Sequence, residues 1–180
     1  RVAPGLELHV STQASTTNWH TVQMWKELGA TRVVAAREVS LADLKEMKDH
    51  VDIEIESFVY GSMCISYSGR CLLSNYMTGN RDANRGQCSQ SCRWKYSLVE
   101  SNRPGEYYPI EEDEHGTYIF NSKDLCLIHR IPDLYEAGID SLKIEGRMKS
   151  VHYCATVAKV YRTAIDTYLK EGKDWYVRPE

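Results

Sequence analysis

Apolar and polar positions alternate along the chain in two rhythms, a short β rhythm and a longer helical one. Leu6–Val10 (LELHV) is a brief apolar run that reads as a strand. Asn18 then stands as a helix N-cap, with Val22, Trp25 and Leu28 at helical spacing and Gly29 as the stop. Thr31–Ala35 (TRVVA) is β-branched and reads as a buried strand. Ser40 with Asp43 forms a capping-box pattern, and Leu41, Leu44 and Met47 give the next helix its apolar face. Val51–Ser57 (VDIEIES) alternates Val, Ile and Ile with Asp, Glu and Glu, the signature of a strand.

From residue 59 to about 116 the periodicity disappears. Gly, Ser, Asn, Arg and aromatic residues separate the cysteines there, and Glu111-Glu-Asp-Glu reads as an acidic surface turn. Long segments of this kind inside compact domains are usually functional or braced by a metal. Regularity returns with a strand at Thr117–Phe120, a helical stretch through Leu125 and Leu134–Ala137 that stops at Gly138, and a strand at Ser141–Ile144. Ser150 caps a long last helix with Val151, Cys154, Val157, Tyr161, Ala164 and Tyr168 on one stripe and Gly172 at its end.

Five strand–helix alternations imply a parallel α/β sheet with helices outside. Five units cannot close an eight-stranded barrel. The expectation is one domain over residues 1–180, an α/β fold. It is either an open sheet or the C-terminal portion of a (β/α)₈ barrel, with residues 59–116 as a Cys-rich insertion. A partial barrel leaves two bare strand edges, to be covered by a missing N-terminal segment or a second copy. The start at Arg1, without Met, fits a fragment or a processed product.

Composition narrows the function classes. The 180 residues are 42% apolar and carry a net charge of −3, so a core is expected and a globally basic nucleic-acid surface is not. No run approaches the roughly 20 apolar residues of a membrane span, and no signal peptide is visible. Five of the six cysteines fall between Cys64 and Cys126. Cys64, Cys71, Cys88 and Cys126 are separated by six, sixteen and thirty-seven residues, and Cys92 follows Cys88 in a CxxxC pair. Gathered thiolates suit a soft metal or an iron–sulfur cluster; disulfides would need an oxidising compartment, to which nothing points. Zinc is the alternative, although it favours shorter pairs. A radical-SAM CxxxCxxC motif fails at Lys95. Gly61, Ser62, Ser68 and Gly69 allow tight turns with N–H groups available to sulfur, and Arg70, Arg85 and Arg93 offset thiolate charge.

Two further constellations stand out. His9, Arg37, Glu38, Glu54, Glu56, Lys143, Glu145 and Arg147 lie at or just after strand ends, where parallel α/β folds place their active face. Alternation puts Glu54 and Glu56 on one side of a strand, with Arg37, Lys143 and Arg147 as the available cations. Such a pocket would bind a small dicarboxylate and position a base, or it is a structural ion-pair network. Arg81, Arg85, Arg93 and Lys95 interleave with Tyr76, Trp94 and Tyr96, a pattern suited to RNA phosphates and bases or to charge balance around a metal centre. His20, His50, His115 and His152 read as surface or helix-end residues, and His129 as a neighbour of Cys126. Cys154, Trp19, Trp25 and Trp175 read as packing residues.

The stretches Glu56-Ser-Phe-Val-Tyr-Gly-Ser-Met-Cys64-Ile-Ser-Tyr-Ser-Gly-Arg-Cys71-Leu-Leu-Ser74, Asn84-Arg-Gly-Gln-Cys88-Ser-Gln-Ser-Cys92-Arg-Trp-Lys-Tyr96 and Ser141-Leu-Lys-Ile-Glu-Gly-Arg147-Met-Lys-Ser150, with the early His9-Val-Ser-Thr-Gln13, resemble the peptidase U32 family. Within it the chain is most similar to the branch associated with prephenate-dependent 5-hydroxylation of tRNA uridine; other branches act in rRNA cytidine and ubiquinone hydroxylation. The resemblance implies a (β/α)₈ barrel lacking about three of its βα units here, and a [4Fe–4S] cluster on Cys64, Cys71, Cys88 and Cys126, with Cys92 as an alternative to Cys88. It also implies a cytoplasmic enzyme with tRNA and prephenate as partners. The family's older name suggests a protease, yet the chain has no HExxH and no GxSxG motif. A cluster-bearing scaffold without catalysis is the third reading.

Overall fold

The computed structural model describes residues 5–94, 96–109 and 123–177. The chain builds β1 (His9–Val10), α1 (Trp19–Glu27), β2 (Arg32–Val34), α2 (Leu41–His50) and β3 (Glu54–Gly61). The cysteine-bearing segment follows, with α3 (Leu73–Thr78) and a small antiparallel pair, β4 (Ser97–Leu98) and β5 (Tyr108–Pro109). The last elements are β6 (Leu125–Cys126), α4 (Ile131–Glu136), β7 (Ser141–Ile144) and α5 (Val151–Glu171).

The sheet is mixed. β1 pairs parallel with β2, β2 with β3, and β3 with β7, while β6 runs antiparallel to β3 at Tyr60 and Gly61. Register fixes two chemical faces. Val33, Ile55 and Val59 pack into the core shared with Val22, Leu44, Met47, Leu134, Val157 and Tyr161. Burying each large aliphatic side chain contributes roughly 1.5–3 kcal/mol. The opposite face presents Arg32, Glu54, Glu56, Phe58 and Lys143, because Arg32 pairs with Glu54 and Phe58 with Lys143 across the strands.

Local signals account for the helix starts. Asn18 accepts the Thr21 N–H at 3.0 Å, Ser40 and Asp43 form a reciprocal capping box, and Ser150 accepts the Tyr153 N–H at 3.2 Å. Each such cap is worth about 1 kcal/mol.

Three expectations need correction. The first strand is only His9–Val10, which pairs with Arg32 and Val33 of β2; Leu6 and Leu8 precede that ladder and are exposed. The third strand is Glu54–Gly61 rather than Val51–Ser57: Phe58, Val59 and Tyr60 are good strand formers, and β7 extends the ladder past a register shift at Phe58/Tyr60. Leu125 is not helical. It sits with Cys126 in the antiparallel strand on β3, and the helix begins only at Ile131, where Pro132 fits the first turn. The expected strand Thr117–Phe120 and His115 lie outside the described residues. On α5 the expected stripe is buried at Val157 and Tyr161, whereas Val151 is exposed. Among the described residues no helix is long and apolar enough to cross a membrane.

Candidate functional site

Where the parallel strands end, a cavity of about 250 Å³ opens between the sheet and the cysteine-bearing segment. One wall comes from the sheet side: Gln13 after β1, Arg37 after β2, Phe58 in β3, and Lys143, Glu145 and Arg147 at and beyond the end of β7. The other wall carries Cys64, Cys71, Cys88 and Cys92.

Arg37 is the best-held cation on the sheet side. Its guanidinium lies 3.9 Å above the Phe58 ring, Nη2 reaches Glu145 Oε2 at 3.2 Å, and the side chain is only 12% exposed. Its Nε is buried without a hydrogen-bond partner. Glu145 also accepts the Arg147 backbone N–H at 3.0 Å, and Arg147 Nη1 donates to the Gly86 carbonyl at 2.7 Å.

Glu54 and Glu56 do share one face, as alternation requires, but their partners differ from the expected ones. Arg32, which sequence patterning did not single out, pairs with Glu54 at 2.6 Å and reaches Glu56 at 3.5 Å. Lys143 pairs with Glu56 at 2.6 Å, and Ser141 donates to the same carboxylate at 3.1 Å. Arg37 and Arg147 serve Glu145 and Gly86 instead. Glu54 is 51% exposed at the sheet's rim, and neither Glu54 nor Glu56 lines the cavity. Burial works against ionising Glu56, yet Lys143, Ser141 and Arg32 outweigh it and hold its carboxyl below the usual range. Hydrogen bonding to Glu54 correspondingly raises the Arg32 guanidinium.

The four cavity thiols influence one another. Burial pushes the Cys64 thiol up; Arg37 pulls it down, and Cys88 and Cys71 raise it further. Burial likewise raises Cys92, opposed by Arg93 and reinforced by Cys88, Cys64 and Cys71. The Gln90 N–H donates to Cys88 Sγ at 3.3 Å from a left-handed backbone (φ 55°) that non-glycine residues rarely adopt. Cys126 stands apart from these four: β6 sets it opposite Tyr60, against Tyr161, and it does not line the cavity. Among the described residues, no three His, Cys, Asp or Glu side chains are gathered closely enough to hold a metal ion.

Polar contacts fix the thiol segment to the frame. Ser68 is buried; its N–H and hydroxyl both donate to Glu38, at 3.1 and 2.9 Å, and its Oγ accepts the Arg37 N–H at 3.2 Å. Gly69 has φ +73°, and a Cβ there would lie 2.1 Å from the Gln13 carbonyl oxygen. Gln13 Nε2 donates to Ala83 O at 2.9 Å, and Asn84 Nδ2 to Cys71 O at 3.2 Å.

The expected RNA patch is divided. Arg81 donates to the Gln87 and Cys88 carbonyls and braces the segment internally, while Arg93 donates to Met63 O and pairs with Asp124 at 3.7 Å, tying the segment to the start of β6. Arg85 is open to solvent, and Lys95 lies outside the described residues. His9 contacts Glu7 at 3.4 Å away from the cavity, and His20 and His50 stack on Trp19 at the surface. His129 and His152 are exposed. Cys154 is half-buried, its Sγ 3.5 Å from the Gly146 carbonyl. Arg32 was legible only through strand register. The buried serines carry no hydrophobic signal at all.

An α/β sheet with a thiol-lined, cation-bearing cavity at the ends of its parallel strands defines the class. The chain belongs to peptidase family U32, whose family description matches residues 1–180. It is 54% identical over 180 residues to the tRNA hydroxylation protein P1 of Bacillus subtilis, covering 100% of this chain and 42% of that protein. It is 43% identical over 203 residues to the tRNA hydroxylation protein P of Escherichia coli, covering 91% and 45%. An uncharacterized protease of Methanocaldococcus jannaschii is 44% identical over 170 residues, covering 92% and 40%. The chain thus spans less than half the length of these relatives. No solved structure matches it.

Proposed function

We propose that this chain is the thiol-bearing part of an RNA-hydroxylating enzyme that 5-hydroxylates tRNA uridine with prephenate as co-substrate. In this reading its sheet is the C-terminal portion of a (β/α)₈ barrel, with residues 59–116 as an insertion, and the enzyme works in the cytoplasm. The observation that carries the proposal is one cavity shared by four thiols and by Arg37, Lys143 and Arg147. Relatives at 54% and 43% identity bear tRNA hydroxylation names.

The donor set suits a [4Fe–4S] cluster: several thiols on one cavity and an N–H aimed at sulfur, with Arg37 and Arg93 beside thiols that burial otherwise pushes up. Cys64, Cys71 and Cys88 would hold it with Cys126 as the fourth ligand, as the family resemblance implies, or with Cys92, which the cavity lining favours. Zinc would use the same donors. A bound cluster supplies one-electron redox chemistry.

The chain's own residues bind and orient. Arg37, Lys143 and Arg147 all line the cavity and give a small dicarboxylate such as prephenate three cations to bridge. Glu145 positions Arg37, while the two carboxylates expected to be catalytic are themselves paired with cations, Glu54 with Arg32 and Glu56 with Lys143. Proteolysis finds no support: no histidine among the described residues lines the cavity to activate a cysteine.

The test is anaerobic iron and sulfide quantification on the full-length protein and its Cys-to-Ser variants. The variants should also be returned to a deletion strain and tRNA 5-hydroxyuridine measured by mass spectrometry. Cys71→Ser should abolish iron and modification together; iron retained in that variant removes Cys71 from the ligand set. Whichever of Cys92→Ser and Cys126→Ser loses iron names the fourth ligand. Unaltered 5-hydroxyuridine in the deletion strain overturns the functional reading.

A further inference from the structure

Among the described aromatics Tyr67 has a distinctive place. It lines the cavity, yet the residue is 72% exposed and its ring stacks on no other aromatic among the described residues. Exposure of a single aromatic is ordinary; what sets Tyr67 apart from the similarly exposed Tyr76 and Tyr107 is that it lines the cavity. Its backbone is fixed on both sides. Ser68, 3% exposed, is tied to Glu38 by two hydrogen bonds and to the Arg37 N–H by a third. Gly69 presses its Cα against the Gln13 carbonyl in a left-handed conformation that admits no side chain. The Arg70 N–H closes the turn on Tyr67 O at 3.0 Å. These contacts fix the backbone that carries an aromatic ring on the cavity the thiols also line.

We infer that Tyr67 is a stacking platform for an unpaired nucleobase presented to the cavity. This inference rests on the RNA reading above and names the substrate element that the site grips. A rigid aromatic face is what single-stranded bases stack on, and chemistry on a base requires it to leave its stack. Phosphate contacts are at hand. Arg70 is exposed three residues on, and Arg85, 85% exposed with only a loose 3.7 Å pairing to Asp82, lies between Asn84 and Gly86, both of which line the cavity. Arg81 and Arg93, already spent on backbone carbonyls, are not needed for this role.

The experiment uses the full-length protein and two labelled probes in equilibrium binding at one fixed salt concentration: a short oligouridylate, and an abasic ribose-phosphate oligomer of the same length. Wild type should prefer the oligouridylate by roughly fivefold to a hundredfold, the worth of one aromatic–base stack. Tyr67→Ala should erase that preference without weakening the abasic probe. Tyr67→Phe, which keeps the ring and removes the hydroxyl, should retain it. Preference surviving in Tyr67→Ala, or absent from wild type that binds both probes, overturns the inference alone. Failure of wild type to bind either probe overturns the RNA reading and the inference with it.

Discussion

The βα frame and the segment that carries Cys64 to Cys92 are held by different forces. In the frame the buried side chains are mostly Val, Ile, Leu, Met and Ala, gathered into one cluster between sheet and helices. Between Ser62 and Ser91 every buried residue is a serine: Ser62, Ser68, Ser74, Ser89 and Ser91. Ser74 and Ser89 share a 3.0 Å hydroxyl contact, Ser74 Oγ also accepts the Ser89 N–H at 2.9 Å, and Ser89 reaches Ser91 at 3.4 Å. A net hydrogen bond is worth about 0.5–1.5 kcal/mol, against roughly 1.5–3 kcal/mol for a buried aliphatic side chain. The frame carries its own driving force. The thiol segment has none of that kind and depends on its moorings, and in our proposal on an inorganic centre.

The difference can be broken most directly at the thiols. Cys71→Ser in anaerobically prepared protein should release all bound iron and raise amide hydrogen exchange over residues 62–94 while leaving β3 and α2 protected. Unchanged exchange in that segment would mean its hydroxyl network suffices alone. Ile55→Ala should do the reverse. It removes a fully buried side chain from the frame and should lower global stability by about 2–5 kcal/mol in denaturant unfolding. Gly69→Ala should cost about 2–4 kcal/mol locally, combining a left-handed backbone with an impossible contact on Gln13 O. Limited proteolysis should then cut within the thiol segment, with the frame's unfolding midpoint unmoved.

Glu56→Gln sharpens the contrast at the smallest scale. Its depressed carboxyl means that the folded state favours the ionised form. That stabilisation is present at neutral pH, above the ordinary carboxylate value, and fades as pH falls through the depressed one. The variant should lose about 1–2 kcal/mol at neutral pH and show a flatter acid limb than the parent in pH-dependent unfolding. An unaltered acid limb would assign the acid sensitivity to other carboxylates.

Sequence reading reached the frame where the physics is local. Asn18, Ser40 with Asp43, and Ser150 announce helix starts within four residues of themselves, and Val33 and Ile55 announce a buried strand face. It failed where partners are distant. Arg32 meets Glu54 only through parallel register, and Arg37 finds Glu145 across 108 positions. Leu125–Cys126 became a strand because Tyr60 and Gly61 offered an edge, which no local propensity reveals. The cavity was legible as chemistry, in its cysteines and strand-end charges, but spacing could not say that Cys92 rather than Cys126 would line it. Tyr67 went unremarked because an aromatic between two serines has no periodic signature.

Gly61 gives the thiol segment its point of departure. It ends β3 at φ +110°, and a Cβ there would lie 2.4 Å from the carbonyl oxygen of Glu145. Two main chains touch at this point with no room for a methyl group. The direction in which the segment leaves the sheet is therefore dictated by bare peptide against bare peptide. Any replacement at this position would act as a wedge, prising Glu145 and its cation away from the sulfur wall and widening the gap in which the chemistry is proposed to occur.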